Sequence, residues 1–239
     1  MRKGVFMTVA GCLGLIVTLF GLLCLPAESM VVYRTFDEIV QRADVIFTGT
    51  AVDSRARFSE NRKMIFTDVD FQVERLVYCN EVCQERVSDI ITLTFAGGTL
   101  EGQSTRVSGV PSFKTGERYL LFSRIGGKPY SSPIVGVSQG LFRVVTDEVS
   151  GVSYPLARQN RPVVAIAKGD IVAGPPVARI YAGTLERAPD RRAVHYHDVP
   201  PQPVEGGKAR VWVKPVQSEM PRKIMSLDEM IGEILQRIR

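Results

Sequence analysis

Met64-Ile65-Phe66-Thr67-Asp68-Val69-Asp70-Phe71-Gln72-Val73-Glu74-Arg75-Leu76-Val77-Tyr78 reads as one long strand, because Ile65, Thr67, Val69, Phe71 and Val73 alternate with Phe66, Asp68, Asp70, Gln72 and Glu74. A period of two puts the first set on one face of a pleated ribbon and the second on the other, with one face half-buried. The run is well beyond the usual strand of about 5–6 residues, so it can serve as a spine along which several shorter strands pair. A sheet that curls about such a spine closes readily. The pattern therefore predicts a mainly β fold, an OB-type small barrel of about five or six strands.

Working outward, Ala43-Asp44-Val45-Ile46-Phe47-Thr48-Gly49-Thr50-Ala51-Val52 is β-rich, and Gly49 inside it marks a bulge or the close approach of another backbone. The charged residues 53–63 between the two runs read as a hairpin loop. Beyond the spine, residues 89–95 alternate again, with Ile91, Leu93 and Phe95 on one face, and end at Gly97-Gly98. Arg118-Tyr119-Leu120-Leu121-Phe122 is a short buried strand entered by the turn Lys114-Thr115-Gly116-Glu117. Residues 134–137 and 141–145 flank Ser138-Gln139-Gly140 as a hairpin or bent strand. Upstream of the whole set, Thr35-Phe36-Asp37-Glu38 has the form of a capping box opening a short helix, with Phe36, Ile39, Val40 and Ala43 as its apolar stripe.

This order of elements, a short helix, Ala43-Asp44-Val45-Ile46-Phe47-Thr48-Gly49, a charged loop, a long strand ending at Cys79, and Gly116-Glu117-Arg118-Tyr119-Leu120-Leu121-Phe122, resembles the netrin-like domain. That domain is the OB-type barrel of the tissue inhibitors of metalloproteinases, and a similar barrel occurs in uncharacterised exported bacterial proteins. The resemblance spans residues 33–146 and implies a protein-binding barrel, with inhibition of, or accessory action on, an exported metalloprotease as one function. Those inhibitors place a free N-terminal cysteine on the protease zinc. This chain has no cysteine between Ser29 and Val77, which argues against the family mechanism.

The two ends of the chain differ in character from the barrel region. Arg2 and Lys3 precede an uncharged run over residues 4–26, followed by Ala27-Glu28-Ser29, the layout of a signal peptide spanning residues 1–29. Left uncleaved, the same run has the length of a membrane anchor of about 20 residues. Either outcome exports the remainder, to the periplasm or the extracellular space. Of four cysteines, Cys79 and Cys83 lie outside that segment, and in an oxidising compartment their spacing suits a disulfide staple at the end of the long strand. The barrel domain is expected over residues 30–150. Residues 151–221 carry most of the prolines and read as an extension, in which the island Val163-Val164-Ala165-Ile166-Ala167 has the character of an edge strand. In residues 222–239, Ser226-Leu227-Asp228-Glu229 is a second capping box. Leu227, Met230, Ile231, Ile234, Leu235 and Ile238 recur there at helical spacing and form a candidate partner-binding stripe.

The formal net charge of +5 is spread over scattered basic residues without aromatic interleaving, so no nucleic-acid partner is indicated. Gly136-Val137-Ser138-Gln139-Gly140 matches G-x-S-x-G, and Asp170 or Asp190 followed by His195 supplies a hydrolase chain order. A nucleophile elbow needs a helix after the serine, whereas Leu141-Phe142-Arg143-Val144-Val145 is β-rich, so a turn between strands is expected instead. His195-Tyr196-His197-Asp198 offers two imidazoles and a carboxylate, short of a preorganised metal site. Gly126-Gly127-Lys128 lacks the spacing of a phosphate loop. Asp68 and Asp70 share a strand face, as a catalytic pair would, but the alternate face of a half-buried strand is ordinarily the wet one. The sequence therefore calls for no catalytic residue, cofactor or metal. It points to a non-catalytic interaction protein of the cell envelope or extracellular space, with an unknown protein partner and membrane contact only through an uncleaved N-terminal segment.

Overall fold

A computed structural model describes residues 32–84, 88–125, 131–181, 184–187 and 223–238. β1 (Val45–Phe58) and β2 (Ile65–Cys79) form its antiparallel spine and pair along their whole length. The register slips between Ile46 and Phe47, between Thr48 and Gly49, and between Ala51 and Asp53, so the ribbon bends strongly at those points. Gly49 sits where the bend presses the strands together: a Cβ there would lie 2.7 Å from the Gln72 carbonyl oxygen. The first half of β1 also pairs with β6 (Arg118–Ser123), from Val45 opposite Ser123 to Thr50 opposite Arg118, and is almost wholly buried. Past Thr50 it leaves β6, keeps β2 alone, and is largely exposed.

Around this spine lie β3 (Ile90–Ala96), β7 (Leu141–Thr146), β8 (Ser153–Ala157), β9 (Arg161–Ala167) and β10 (Asp170–Ala173), in one eight-stranded sheet of order β10-β9-β8-β7-β6-β1-β2-β3. β4 (Gly98–Leu100) with β5 (Gln103–Thr105), and β11 (Val177–Tyr181) with β12 (Thr184–Arg187), make two small separate ribbons. The mainly β expectation is met. The finer expectation of five or six strands closed into a barrel is not, because the ladder carries eight strands and, among the described residues, no pairing joins β3 to the other end of the sheet.

The extra strands come from chain expected to be extension. A domain boundary at residue 150 falls inside the β7–β8 hairpin, where Asp147 N–H donates to the Val152 carbonyl and Gly151 N–H returns to the Asp147 carbonyl. The Val163–Ala167 island lies in β9, a strand as its composition suggests, but an inner one between β8 and β10 instead of an edge. Pro155 and Pro162 are tolerated within strands because the β8–β9 ladder is only two residue pairs long, Leu156 with Pro162 and Ala157 with Arg161. Residues 1–31 and 188–222, with the leader, both histidines and most of the extension, lie outside the described residues, as does Gly126-Gly127-Lys128.

The sheet is buried on both faces, which explains why β6 is continuously apolar instead of alternating. On one face Ile46, Leu120, Phe122, Phe142 and Val144 pack under two helices, α1 (Phe36–Gln41) and α3 (Leu227–Arg237). On the other, Phe47, Phe71, Phe95, Tyr119 and Leu121 surround Phe113, whose ring meets those of Phe71 and Tyr119 edge-on at 5.1 Å. Between the spine and β3, the four-residue helix α2 (Glu81–Gln84) carries Cys83, which is disulfide-bonded to Cys79 with a Cα separation of 5.4 Å. Asn80 fixes that loop, accepting from Cys83 N–H at 3.0 Å and donating to Asp44 at 2.9 Å.

Both capping boxes form. Thr35 accepts from Glu38 N–H at 3.3 Å while the Glu38 carboxylate accepts from Thr35 N–H at 3.1 Å, and Ser226 with Glu229 does the same at 3.2 and 2.8 Å. An 11-residue helix such as α3 is marginal alone in water, and here it docks within the chain. Leu227, Met230, Ile231 and Ile234 are buried with Phe36, Ile39 and Val40, and Ile238 packs at the margin. Arg237 fastens the helix to α1, donating to Asp37 at 2.7 Å and to its own-helix neighbour Glu233 at 2.6 Å, and it lies 5.8 Å from the Phe36 ring centre. The stripe assigned to a partner therefore covers the chain's own core; of its members only Leu235 is exposed.

Candidate ligand-binding cleft

The candidate acids resolve into structure. Asp68 accepts from Arg57 at 2.7 Å and Thr94 at 2.6 Å; Asp70 accepts from Arg55 and Thr92, each at 2.7 Å. These are cross-strand polar rows on the wet face of β1, β2 and β3. Burial alone would raise the Asp68 pKa, but the Arg57 and Thr94 hydrogen bonds outweigh it and hold the carboxyl below its ordinary value. A group so held is a poor proton donor near neutral pH.

Ser138 lies in a turn that runs into β7, so it lacks the strand-turn-helix setting of a nucleophile elbow. Its neighbour Val137 has φ 67°, a backbone region that β-branched residues avoid. The strain is held in place: Val137 N–H donates to the Ile134 carbonyl at 3.0 Å and its own carbonyl accepts from the Ser132 hydroxyl at 2.6 Å. Gln139 ties the same turn to the N-terminal segment, accepting from Arg34 N–H at 2.8 Å and donating to the Val32 carbonyl at 2.9 Å. Asp170 hydrogen-bonds the Tyr33 hydroxyl. His195, His197, Asp190 and Asp198 lie outside the described residues, among which no group of three or more His, Cys, Asp or Glu is placed to hold a metal.

What the structure brings together instead is an open cleft of about 510 Å³ between residues 109–112 and the sheet at β6, β7 and β8. Its wall is one cross-strand row. Tyr119 on β6 is opposite Arg143 on β7, which is opposite Leu156 on β8, so strand register alone sets the three side by side. Tyr119 OH donates to Glu117 Oε2 at 2.9 Å and accepts from Lys114 N–H at 3.1 Å. Burial, reinforced by the Glu117 carboxylate, pushes the Tyr119 phenol up to about 12, which keeps it a hydrogen-bond donor at any physiological pH.

Arg143 occupies the centre of that row and is incompletely engaged. Its Nη2 donates to Asn160 Oδ1 at 3.2 Å, its Nη1 stands 3.7 Å from Glu117 Oε1, and its Nε is buried with no hydrogen-bond partner among the described residues. Asn160 and Gln159 form the tight β8–β9 turn with φ of 55° and 61°. Asn tolerates that left-handed conformation, and the turn carries its amide to the arginine. Leu141, Leu156, Val110 and Pro111 supply apolar lining, and Ser138 lies on the same wall. Smaller openings of about 450 Å³ beside Tyr33 and Asp170, and about 350 Å³ between Thr67, Gly97 and Val107, are also lined by polar side chains, but among the described residues neither holds a buried side-chain donor without a partner.

The sequence motifs missed Glu117, Tyr119, Arg143 and Asn160, because each is unremarkable within its own segment and they meet only through sheet register. Compared with protein-family models, curated proteins and solved structures, the chain matches none.

Proposed function

We propose that this is an exported, non-catalytic binding protein of the cell envelope or extracellular space, and that it holds a protein partner through the cleft bounded by β6, β7, β8 and residues 109–112. The observation that carries the reading is the incompletely engaged Arg143 on the wall of a cleft that sets Val110, Pro111, Leu141 and Leu156 beside convergent polar groups, since apolar lining around orienting polar groups is the mark of a binding site. Its support is structural in a second sense: the helix stripe that offered the other partner surface is occupied by the chain's own core. The leader-like N-terminus and the Cys79–Cys83 bond agree with an oxidising compartment.

The netrin-like, OB-type reading belongs to this proposal for residues 33–146. In its favour, β3-β2-β1-β6-β7 run as consecutive neighbours with β1 paired to both β2 and β6, the arrangement of a partly open five-stranded barrel to which β8, β9 and β10 are appended.

Photo-crosslinking residues placed at Ser112 and Asn160, with Asn61 and Glu101 as controls away from the cleft, test the reading in the producing cell. A discrete protein adduct is expected at the first two positions only; adducts absent there, or equal at all four, would overturn it. Ser138 lines the same cleft, so a serine hydrolase is the rival. Labelling by a fluorophosphonate that disappears in Ser138→Ala would favour that rival; among the described residues no basic or acidic side chain hydrogen-bonds the Ser138 hydroxyl.

A further inference from the structure

We infer that the group this cleft recognises is a carboxylate carried next to a short apolar moiety, such as the free end of a peptide chain or a small branched carboxylic acid, with Arg143 as the residue that receives it. The inference rests on the cleft being the binding site and adds the chemistry of what enters it.

A guanidinium offers five N–H donors in a planar fork matched to the two oxygens of a carboxylate. In Arg143 one hydrogen bond goes to Asn160, the approach to Glu117 at 3.7 Å is an ion pair beyond hydrogen-bond reach, and Nε has nothing. A donor buried without an acceptor is costly to maintain in the unliganded protein, and an arriving acceptor removes that cost. A carboxylate received side-on takes the Nε hydrogen and one Nη hydrogen together, which gives Nε its acceptor once a small rotation turns that edge to the cleft.

Glu117 does not compete for this role. Its oxygens are engaged by the Tyr119 hydroxyl at 2.9 Å and approached by Lys114 at 3.7 Å, so it orients the arginine without saturating it. The negative charge it retains selects against a doubly charged group, which favours a carboxylate over a phosphate dianion. Arg158 on the exposed rim adds a second positive charge, so the lining carries two arginines against one carboxylate.

The apolar part follows from the rest of the wall. Leu156 stands beside the arginine in the row and Leu141 two residues before it on β7, and Val110 and Pro111 line the same cleft, a setting for one small aliphatic side chain beside the charge. The rim is stiff where it matters. Val137 is held at φ 67° next to Ser138, and Gln159 and Asn160 are fixed at positive φ by the two-pair β8–β9 ladder. Backbone strain of this kind gathers at ligand clamps, because surrounding structure must over-determine it.

The test compares N-acetyl-leucine with N-acetyl-leucinamide, followed on the backbone amide signals of the intact protein, together with an acetylated hexapeptide ending in a free leucine. The acid is expected to shift signals of residues 141–143 and 156–160 and to bind at least tenfold more tightly than the amide. In Arg143→Gln that preference should vanish, and in Arg143→Lys, which keeps the charge but not the fork, it should shrink. Because the acid-to-amide contrast is read on the unmodified protein, it stands even if a variant fails to fold. A hexapeptide bound more than tenfold tighter than N-acetyl-leucine identifies the source as a protein chain end; equal affinity identifies a free acid, and both support the carboxylate. Equal shifts from acid and amide, or shifts confined elsewhere, overturn it. Adducts at Ser112 and Asn160 with no acid preference sink the carboxylate alone, whereas acid binding without adducts sinks the protein partner alone.

Discussion

Arg118 and Arg143 sit on adjacent strands at neighbouring positions in one ladder, yet on opposite faces of the sheet, and their surroundings could hardly differ more. Arg118 opposite Val144 points to the helix-covered side and engages its whole fork: Glu74 at 2.6 to 3.1 Å, Thr146 at 3.0 Å and Ser153 at 3.1 Å. Arg143, opposite Tyr119, points to the cleft side with Nε unpartnered and its carboxylate neighbour out of hydrogen-bond reach. The same strands thus carry a closed, satisfied face and an open, unsatisfied one. The difference is made by what each fork meets: Arg118 finds its partners within the sheet, on β2, β7 and β8, whereas Arg143 faces the cleft left between residues 109–112 and the sheet. Polar groups whose partners are complete hold a structure together; those whose partners are missing are where a ligand can still gain something.

The largest effect should come from breaking the closed face. Met230 on the inner side of α3 is fully buried in the cluster with Phe36, Leu120 and Phe142, so Met230→Asp places an unpaired carboxylate in that core and should cost more than about 3 kcal/mol. Leu235→Asp on the exposed side of the same helix should stay within about 0.5 kcal/mol. Chemical denaturation of the two variants measures the gap. Equal tolerance would mean that α3 is not part of the core, and with it the contrast between the faces would fall.

How far this contrast was legible beforehand depends on which residues carry it. The spine was largely readable: the alternation over residues 65–73 placed Val69 and Phe71 in the core that surrounds Phe113 and Asp68 and Asp70 on the opposite, wet side, and both capping boxes are local signals that form as written. The docking of α3 was not readable, because an amphipathic stripe states only that something covers it. The β8–β10 strands were obscured by proline, which composition assigns to linker although Pro155 and Pro162 fit a ladder too short to need their N–H groups. The cleft was the least visible feature. Tyr119, Arg143 and Leu156 become neighbours through register, a non-local quantity, and Ser138, the motif residue, reaches the same wall without the partners that its motif implies.

A smaller effect should appear on acidification, and it belongs to the satisfied side. Burial would raise the Glu74 pKa, but hydrogen bonds from Arg118 and Thr50 and the Arg118 charge outweigh it, leaving the folded value below the ordinary 4.5. A depressed carboxylate contributes stability that is present above its unfolded pKa and disappears as pH falls through the folded one. Melting temperature should therefore drop as pH is lowered below about 4.5, and Glu74→Gln should flatten part of that drop. Asp68, depressed in the same sense, accounts for a further part. At neutral pH, Arg118→Met should cost about 1 kcal/mol by stranding Glu74, a modest figure because both side chains remain about one-third exposed. An unchanged acid profile in Glu74→Gln would show that the pair is screened by solvent and that the satisfied face owes its stability to packing alone.

The smallest expected effect on stability is the one that most sharpens the comparison. Arg143→Met keeps the length and much of the aliphatic stem, removes the buried Nε that lacks a partner, and gives up one hydrogen bond to an exposed Asn160 and one long ion pair. Those losses and that relief are of similar size, so unfolding free energy should change by no more than about 0.5 kcal/mol in either direction. Ligand binding should nevertheless disappear, since the charge and the fork go together. The same substitution at Arg118 is expected to do the reverse, lowering stability and leaving the cleft intact. Measured side by side by denaturation and by titration with N-acetyl-leucine, the two arginines should separate stability from recognition. A markedly destabilised Arg143→Met would mean that this arginine, like Arg118, is engaged in holding the sheet, and that the cleft is merely its solvated surroundings.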